Sequence, residues 1–205
     1  LPFAREYGAG TIDIDEFEDF QMKFLAQFKR QKLEAALSDY IKTIIEPAVP
    51  QASRQLVESY AKAGDQTALC TATYDFVSGA VARVFGIDHT LAAHPEQTPD
   101  GEFTGRLDGI ASFQEGKVVM VQRLLERLSE QGAVIEGIDF YSDSCADLPL
   151  FEFVERMGGR CFAVNAEKAL EQTACRRGWK ILNTFGAREL QQTAEIAQRL
   201  APCRL

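Results

Sequence analysis

The sequence lacks both an excess of positive charge and any long apolar run. Its 205 residues carry 22 Lys and Arg against 30 Asp and Glu, a formal net charge of −8 at pH 7. Because phosphate backbones and anionic lipids bind proteins through basic patches, we expect neither nucleic acid nor a membrane as a partner. No stretch has the length and apolarity of a transmembrane helix, and no signal-peptide pattern is visible.

The cysteines lack the spacing of a zinc site or a disulfide framework. None forms a CxxC pair or a Cys/His pattern, and the five are Cys70, Cys145, Cys161, Cys175 and Cys203. Scattered thiols in odd number are typical of a reducing compartment, so we expect a cytoplasmic protein. Cys145 lies at a predicted helix start, where a thiol can be reactive. The commoner role of a cysteine at such a position is a small, semi-buried side chain that only fills space in the packing.

The first third of the sequence favours helices. A hydrophobic share of 46% and a charged share of 25% are those of an ordinary globular protein. Thr11 or Asp13 can cap a helix that runs to about Arg30, a second helical pattern covers 33–45, and a third begins at Pro50 and ends before Gly64. Apolar residues share one broad face of the first helix, namely Ile14, Phe17, Phe20, Phe24, Leu25 and Phe28.

From residue 65 onward the pattern alternates between strands and helices. Strands are predicted at 67–71, 89–93, 137–142, 160–164 and 179–182, and helices at 74–85, 116–130, 146–157 and 167–177. A hairpin is predicted around the turn 99–101, and a peripheral helix at 187–200. This alternation predicts a parallel sheet flanked by helices.

Two carboxylates follow the strand predicted at 137–142. Asp143 stands at the exit of the strand, and Asp147 falls in the first turn of the next helix. Hard oxygen ligands at the carboxyl edge of a parallel sheet are suited to Mg²⁺. The alternative is that Asp143 or Ser144 caps the helix and that Asp147 only favours the helix dipole.

Two further positions can serve an anion. Thr71 ends an earlier predicted strand, where a hydroxyl and free backbone N–H groups can bind phosphate; the alternative is that Thr71 or Thr73 caps the following helix. Lys117 stands in the first turn of a helix, where the positive end of the dipole disfavours a cation. A bound anion would explain this lysine, and a solvated surface position is the alternative.

Taken in order, three segments resemble motifs II, III and IV of the haloacid dehalogenase (HAD) superfamily phosphatases, and most closely the subfamily IB group that includes phosphoserine phosphatase. The segments are 70–73 (CTAT), 115–118 (EGKV) and 140–149 (FYSDSCADLP). The resemblance extends over about residues 8–185. It implies a Rossmann-like three-layer α/β sandwich with a parallel sheet, divided into a helical cap at 1–48, the α/β core at 49–185 and a peripheral C-terminal helix at 186–205.

The resemblance also implies a role for each candidate residue. Thr71 and the Ala72 backbone N–H would bind the transferring phosphoryl group, and Lys117 would neutralise it. Asp143 would ligate Mg²⁺, and Asp147 would support the metal and take part in catalysis. The implied substrate is a small phosphorylated metabolite.

The sequence departs from the family pattern at two places. The family's motif I, DxDx[TV], supplies the attacking aspartate at the end of the first core strand, but the run from Asp13 to Asp15 lies inside the predicted cap helix. We therefore expect the nucleophile and the first core strand to be absent from this chain. Ala146 also stands where the family usually has Asn. Two interpretations remain open: an N-terminally incomplete phosphatase that is inactive as it stands, and a non-catalytic relative that binds a phosphorylated ligand or a protein.

Overall fold

The structure is a computed structural model and describes residues 13–183. Thr11, Cys203, the helix predicted at 187–200 and the domain assigned to 186–205 lie outside the described residues. No helix of the described chain combines the length and apolarity needed to cross a bilayer.

The described chain begins with helices, as predicted. These are α1 Ile14–Leu25, α2 Arg30–Tyr40 and α3 Gln51–Ala63. Helix α2 continues without a break through a π-helical segment, Ile41–Ile45, and a short α-helical piece, Glu46–Ala48. Asp13 caps α1 by accepting from the Glu16 N–H at 3.1 Å. Gly64 ends α3 in the left-handed conformation, at φ 86°, which glycine adopts without steric cost.

The rest of the described chain alternates between strands and helices. The strands are β1 Ala68–Cys70, β2 His89–Leu91, β3 His94–Gln97, β4 Phe103–Asp108, β5 Asp139–Ser142, β6 Arg160–Val164 and β7 Lys180–Leu182. The helices are α4 Asp75–Phe85, α5 Glu115–Glu130, α6 Leu148–Arg156 and α7 Lys168–Arg177. β1 pairs in parallel with β2, β5–β6–β7 form a parallel sheet, and β3 and β4 form the predicted antiparallel hairpin. The predicted α/β architecture is confirmed.

The parallel strands form two sheets rather than one. Among residues 13–183, β1 pairs only with β2, and β5 pairs only with β6. The interruption falls between the strands that lead to Thr71 and Asp143. Tyr60 of α3 reaches β5 at this interruption: its hydroxyl donates to the Asp139 carboxylate and lies 2.5 Å from the Tyr141 hydroxyl.

One core nevertheless spans both sheets. Phe151 is fully buried and stacks on Trp179 with ring centroids 4.6 Å apart. Cys70 of β1 and Phe140 of β5 pack against the same cluster. Burial of each large apolar side chain in such a core contributes about 1.5–3 kcal/mol. The core therefore fixes the carboxyl ends of β1 and β5 relative to each other, although the strands are not paired.

The first helix ends earlier than its pattern predicts. It stops at Leu25 rather than near Arg30, because Lys29 is extended (ψ 138°) and α2 begins at the next residue. The Arg30 N–H donates to the Glu102 carboxylate at 2.9 Å. This cap comes from a residue 72 positions away, so local periodicity could not reveal it.

Helix α1 docks on β4 with a face that differs from its aromatic one. The side chains it buries are Glu18, Met22 and Leu25. Phe20 and Phe24, which belong to the aromatic face, remain 45% and 43% exposed. The close approach occurs at Gly105, where an added Cβ would lie 3.3 Å from the Ala26 side chain. The contact between α1 and β4 thus depends on a glycine in the strand.

Candidate active site

The carboxyl ends of β1 and β5 meet at one buried ion pair. Cys70 ends β1, and its thiol has a pKa raised to about 12, chiefly by burial; the charge of Lys117 lowers this pKa and that of Asp147 raises it. Ser142 ends β5, and its hydroxyl donates to Oδ2 of Asp147 at 2.6 Å. The strands that lead to Thr71 and Asp143 therefore converge on Lys117 and Asp147.

Lys117 is buried, with 7% of its surface exposed. Its Nζ donates to Oδ1 of Asp147 at 2.5 Å. The alternative of a solvated surface lysine is therefore wrong. The unfavourable position of this cation in the first turn of α5 is compensated by a carboxylate from the other side of the site.

The loop 109–114 determines where Lys117 stands. Gln114 has φ 43°, a conformation that is uncommon outside glycine. At Gly116 an added Cβ would lie 1.9 Å from the Ala111 carbonyl oxygen, so only glycine fits. The Gly116 N–H donates to the Phe113 carbonyl at 2.8 Å, and the Lys117 N–H donates to the Gln114 carbonyl at 3.1 Å. The start of α5 is therefore locked against this loop.

Asp143 and Asp147 have different surroundings. Asp143 is exposed, and its side chain has no hydrogen bond or ion pair with the residues that the structure describes. The cap of the turn Cys145–Asp147 is Ser144, whose hydroxyl accepts from the Ala146 N–H at 3.1 Å. Asp147 precedes α6 without capping it by a side-chain hydrogen bond, because its oxygens are bonded to Lys117 and Ser142. The capping alternative thus applies to Ser144 and to neither aspartate.

Thr71 is positioned by backbone contacts. Its N–H donates to the Leu91 carbonyl at 3.0 Å, and its Oγ1 accepts from the Thr73 N–H at 3.2 Å. Tyr74 stands at the N-cap of α4 and makes no side-chain cap bond, so neither threonine caps that helix. The Thr71 hydroxyl keeps its proton available to donate. The Ala72 N–H has no hydrogen-bond partner within residues 13–183.

The residues present fit Mg²⁺ in chemical type but supply few ligands. Mg²⁺ prefers oxygen ligands such as carboxylates, and the exposed carboxylate of Asp143 can coordinate the ion directly. Asp147 already shares its oxygens with Lys117 and Ser142. Within the described part of the chain, no group of three or more His, Cys, Asp or Glu side chains is arranged to hold a metal ion.

The sequence did not single out Ser142 or Glu167. The Ser142 hydroxyl accepts from the Ser144 N–H at 3.2 Å while it donates to Asp147, so it orients the turn that carries both aspartates. Glu167 accepts from the Cys145 N–H at 2.6 Å. The pKa of the Cys145 thiol is raised to about 11, by burial and by Glu167, and the thiol stays protonated at neutral pH. This environment favours the filler interpretation of Cys145. A polar residue at the last position of a strand is the one local signal that could have indicated Ser142.

Comparisons with known proteins agree with this fold. The family model described as haloacid dehalogenase-like hydrolase matches residues 2–152. A histidinol-phosphatase of Neisseria meningitidis is 34% identical over 184 residues, which cover 88% of this chain and 80% of that protein. The crystal structure of a Bordetella pertussis protein of unknown function matches with a TM-score of 0.80 and 34% sequence identity. The match covers 90% of this chain and 80% of that protein's chain. A substrate-bound phosphoserine phosphatase shares the fold, with a TM-score of 0.59 and 16% sequence identity. The match covers 94% of this chain and 82% of that protein's chain.

Proposed function

This chain belongs to the haloacid dehalogenase-like hydrolase family, and we propose that its site serves the Mg²⁺-dependent hydrolysis of a small phosphomonoester. The observation that carries the proposal is the buried pair of Lys117 and Asp147 at the point where the strands leading to Thr71 and Asp143 converge. The assignment to subfamily IB and the division into a cap at 1–48 and a core at 49–185 belong to the same proposal.

The phosphoryl group is held by donors that the fold has already oriented. The Thr71 hydroxyl and the Ala72 N–H donate to phosphoryl oxygens, and Lys117 neutralises their charge. Donors that need no rearrangement stabilise a transition state whose charge is spread over these oxygens. Asp147 keeps the ammonium of Lys117 in place for this task.

The carboxylates complete the site. Asp143 would hold Mg²⁺ directly, and Asp147 would support it through the turn that both share with Ser142. When bound, the metal ion supplies positive charge that neutralises phosphoryl oxygens. The site residues supported here are therefore Thr71, Ala72, Lys117, Asp143 and Asp147.

The attacking carboxylate of the family is not matched within the 205 residues. Asp13 and Asp15 form the one DxD pair in the sequence, but Asp13 caps α1 and Asp15 lies in its first turn. We therefore propose that this chain by itself binds a phosphate group without hydrolysing its ester. A non-catalytic role in binding a phosphorylated ligand is the second candidate, and this missing match is the observation that favours it.

The phosphatases among the relatives support small phosphomonoesters as the proposed substrate class. Small phosphomonoesters such as histidinol phosphate, phosphoserine and choline-type phosphates form the test panel. The net charge of −8 disfavours nucleic acid as a substrate. The free thiols of the described chain, Cys70, Cys145, Cys161 and Cys175, support a cytoplasmic location within this proposal.

The test compares the 205-residue chain with a version in which a strand ending in DxDx[TV] is fused before residue 1. We expect no Mg²⁺-dependent turnover of p-nitrophenyl phosphate by the former and turnover by the latter. In the fused version, Asp143→Asn should abolish turnover, and Lys117→Ala should lower it about a hundredfold or more. Lys62→Ala is the control, because Lys62 is an exposed lysine of α3.

The outcomes separate the two candidates. Robust turnover by the 205-residue chain itself would refute the assignment of the nucleophile. Phosphate binding that depends on Lys117, without turnover by either version, would favour the non-catalytic function.

A further inference from the structure

The turn that carries both aspartates is held from outside by a glutamate of the next loop. This turn, residues 143–147, is called the aspartate turn below. Within the described residues, most of its N–H groups bond to serine oxygens of the stretch 142–147; these donors belong to Ser144, Ala146 and Asp147. The N–H of Cys145 instead donates to a side chain 22 positions away, the carboxylate of Glu167, at 2.6 Å.

Glu167 holds the aspartate turn at two points. Its carboxylate accepts from the Cys145 N–H, and its own backbone N–H donates to the Asp143 carbonyl oxygen at 3.1 Å. A hydrogen bond from a backbone N–H to a carboxylate is charge-assisted, and such bonds are shorter and roughly twice as strong as neutral ones. The two bonds bracket residues 143–145, so they fix the direction in which the Asp143 side chain leaves the backbone.

Glu167 is itself attached to the core. It occupies the N-cap position of α7 but makes no side-chain cap bond to that helix, so its carboxylate is available to the aspartate turn. Leu170 and Ala174 of α7 are fully buried in the core cluster that also contains Phe151. Because these side chains anchor the helix, Glu167 gives the turn a support that is fixed to the core.

Asp143 depends on this support because its side chain has none of its own. The carboxylate of Asp143 is exposed and makes no hydrogen bond or ion pair with the described residues. The carboxylate of Asp147, by contrast, is bonded to Lys117 and Ser142. The direction of the Asp143 carboxylate is therefore decided by its backbone. A metal ligand that is oriented in advance loses less conformational freedom when the ion binds.

We propose that Glu167 is a positioning residue, which holds the aspartate turn so that the Asp143 carboxylate is presented to Mg²⁺. The inference rests on the proposed function, because that function assigns Asp143 to the metal ion. Glu167 acts through the backbone of the turn and is given no contact with the ion or the phosphate. Its negative charge near the site is a second way to favour Mg²⁺, and the test separates charge from geometry.

The test titrates Mg²⁺ into the 205-residue chain and follows the backbone amide signals of the aspartate turn by NMR, which detects weak binding. Glu167→Ala removes the acceptor and the charge together. Its Mg²⁺ affinity should fall about tenfold, which corresponds to the loss of one charge-assisted hydrogen bond. Glu167→Gln keeps an oxygen that can accept from the Cys145 N–H but carries no charge. Its affinity should fall only about threefold, because the neutral bond is roughly half as strong.

Glu171→Ala is the matched control. Glu171 is an exposed glutamate in the first turn of the same helix, so its removal changes the net charge by the same amount without altering the bonds to the aspartate turn. This variant should bind Mg²⁺ as the wild type does. Equal weakening by Glu167→Gln and Glu167→Ala would mean that only the charge of Glu167 matters, and it would overturn the positioning role.

Hydrogen exchange of the Cys145 amide measures the geometry of the turn without the metal ion. This amide should exchange faster in Glu167→Ala than in the wild type, because its hydrogen bond to the carboxylate is lost. In Glu167→Gln its exchange should stay closer to that of the wild type. A merely structural role of Glu167 would lower the midpoint in urea of Glu167→Ala and leave its Mg²⁺ affinity unchanged.

The inference and the proposed function fail in different ways. Mg²⁺ binding that Asp143→Asn abolishes and Glu167→Ala leaves unchanged would overturn the role of Glu167 while the proposed function stands. No Mg²⁺ binding by the wild type would count against the proposed metal site, and exchange of the Cys145 amide would then decide the positioning. A faster rate in Glu167→Ala would support it, and an unchanged rate would overturn it.

Discussion

Lys117 and Asp147 form a hydrogen-bonded ion pair, with Nζ 2.5 Å from Oδ1. The pair is buried, since the two side chains are only 9% and 10% exposed. The pair links the first turn of α5 to the turn that follows β5, across 30 residues of sequence. Ser142 adds a second bond to the same carboxylate. Through this pair, two separate sequence motifs lie in contact and form one site.

Loss of the carboxylate charge should destabilise the fold. Asp147→Asn leaves the Lys117 ammonium buried without a counter-charge, and removal of one partner of a buried pair costs roughly 3–5 kcal/mol. The free energy of unfolding in urea measures this. Asp19→Asn is the control, since Asp19 pairs with Lys23 at the surface, and exposed pairs contribute about 1 kcal/mol or less. Equal losses in the two variants would mean that the buried pair is not maintained in solution.

Gly116 should not tolerate a side chain. Gly116→Ala would place a Cβ 1.9 Å from the Ala111 carbonyl oxygen, so the loop 109–114 or the start of α5 must shift. We expect a lower midpoint in urea and weaker binding of inorganic phosphate, because Lys117 moves with the helix. Gly79→Ala is the matched control: its Cβ would meet only the end of the Arg83 side chain, at 3.8 Å. Alanine also favours a helix interior by up to about 1 kcal/mol over glycine. A stable Gly116→Ala variant with unchanged phosphate affinity would contradict this account of the loop.

Stability should fall as the pH rises from 4.5 to 7. The pKa of Glu18 is raised in the folded chain to about 7 from 4.5, so the folded state binds more protons than the unfolded state in this window. The stabilisation is complete below 4.5 and is lost as the pH passes through 7. At higher pH, Glu18→Gln should recover roughly 3 kcal/mol, the equivalent of this difference in pKa. Unfolding in urea across the window measures it, with Glu16→Gln as the control. Parallel pH curves for Glu18→Gln and the wild type would show that Glu18 is not buried in solution.

Mg²⁺ should bind only weakly to the 205-residue chain. Asp143 is free to coordinate, but the oxygens of Asp147 are shared with Lys117 and Ser142, and Mg²⁺ with few carboxylate ligands keeps most of its water. We expect no micromolar affinity by calorimetry, and any weak binding should disappear in Asp143→Asn. Asp65→Asn, an exposed change after α3, should leave it unaltered. Micromolar binding that survives Asp143→Asn would place the metal elsewhere.

Much of the fold could be predicted from the sequence, because the local hydrophobic patterns match the side chains that the fold buries. The alternation after residue 65 predicted β1, β2, β5, β6 and β7 to within a few residues, whereas β3 and β4 were predicted only as the hairpin around 99–101. The predicted end of α1 was wrong, because Glu102, far along the chain, accepts a hydrogen bond from the first N–H of α2 and so fixes where that helix starts. The buried side of α1 could not be read from its aromatic residues. The contact with Gly105 turns Glu18 inward and leaves Phe20 and Phe24 partly in solvent.

The sequence by itself determined the candidate residues and their order along the chain, because a strand end followed by Thr71, a helix start with Lys117 and a strand end followed by Asp143 are local features. Only the tertiary structure decided what these residues do to one another. It buried Lys117 against Asp147, left Asp143 exposed, and joined the Ser142 hydroxyl to the Asp147 carboxylate. Such relations depend on distances across the core, and sequence periodicity does not specify which side chains meet there, such as Lys117 and Asp147, which are 30 positions apart.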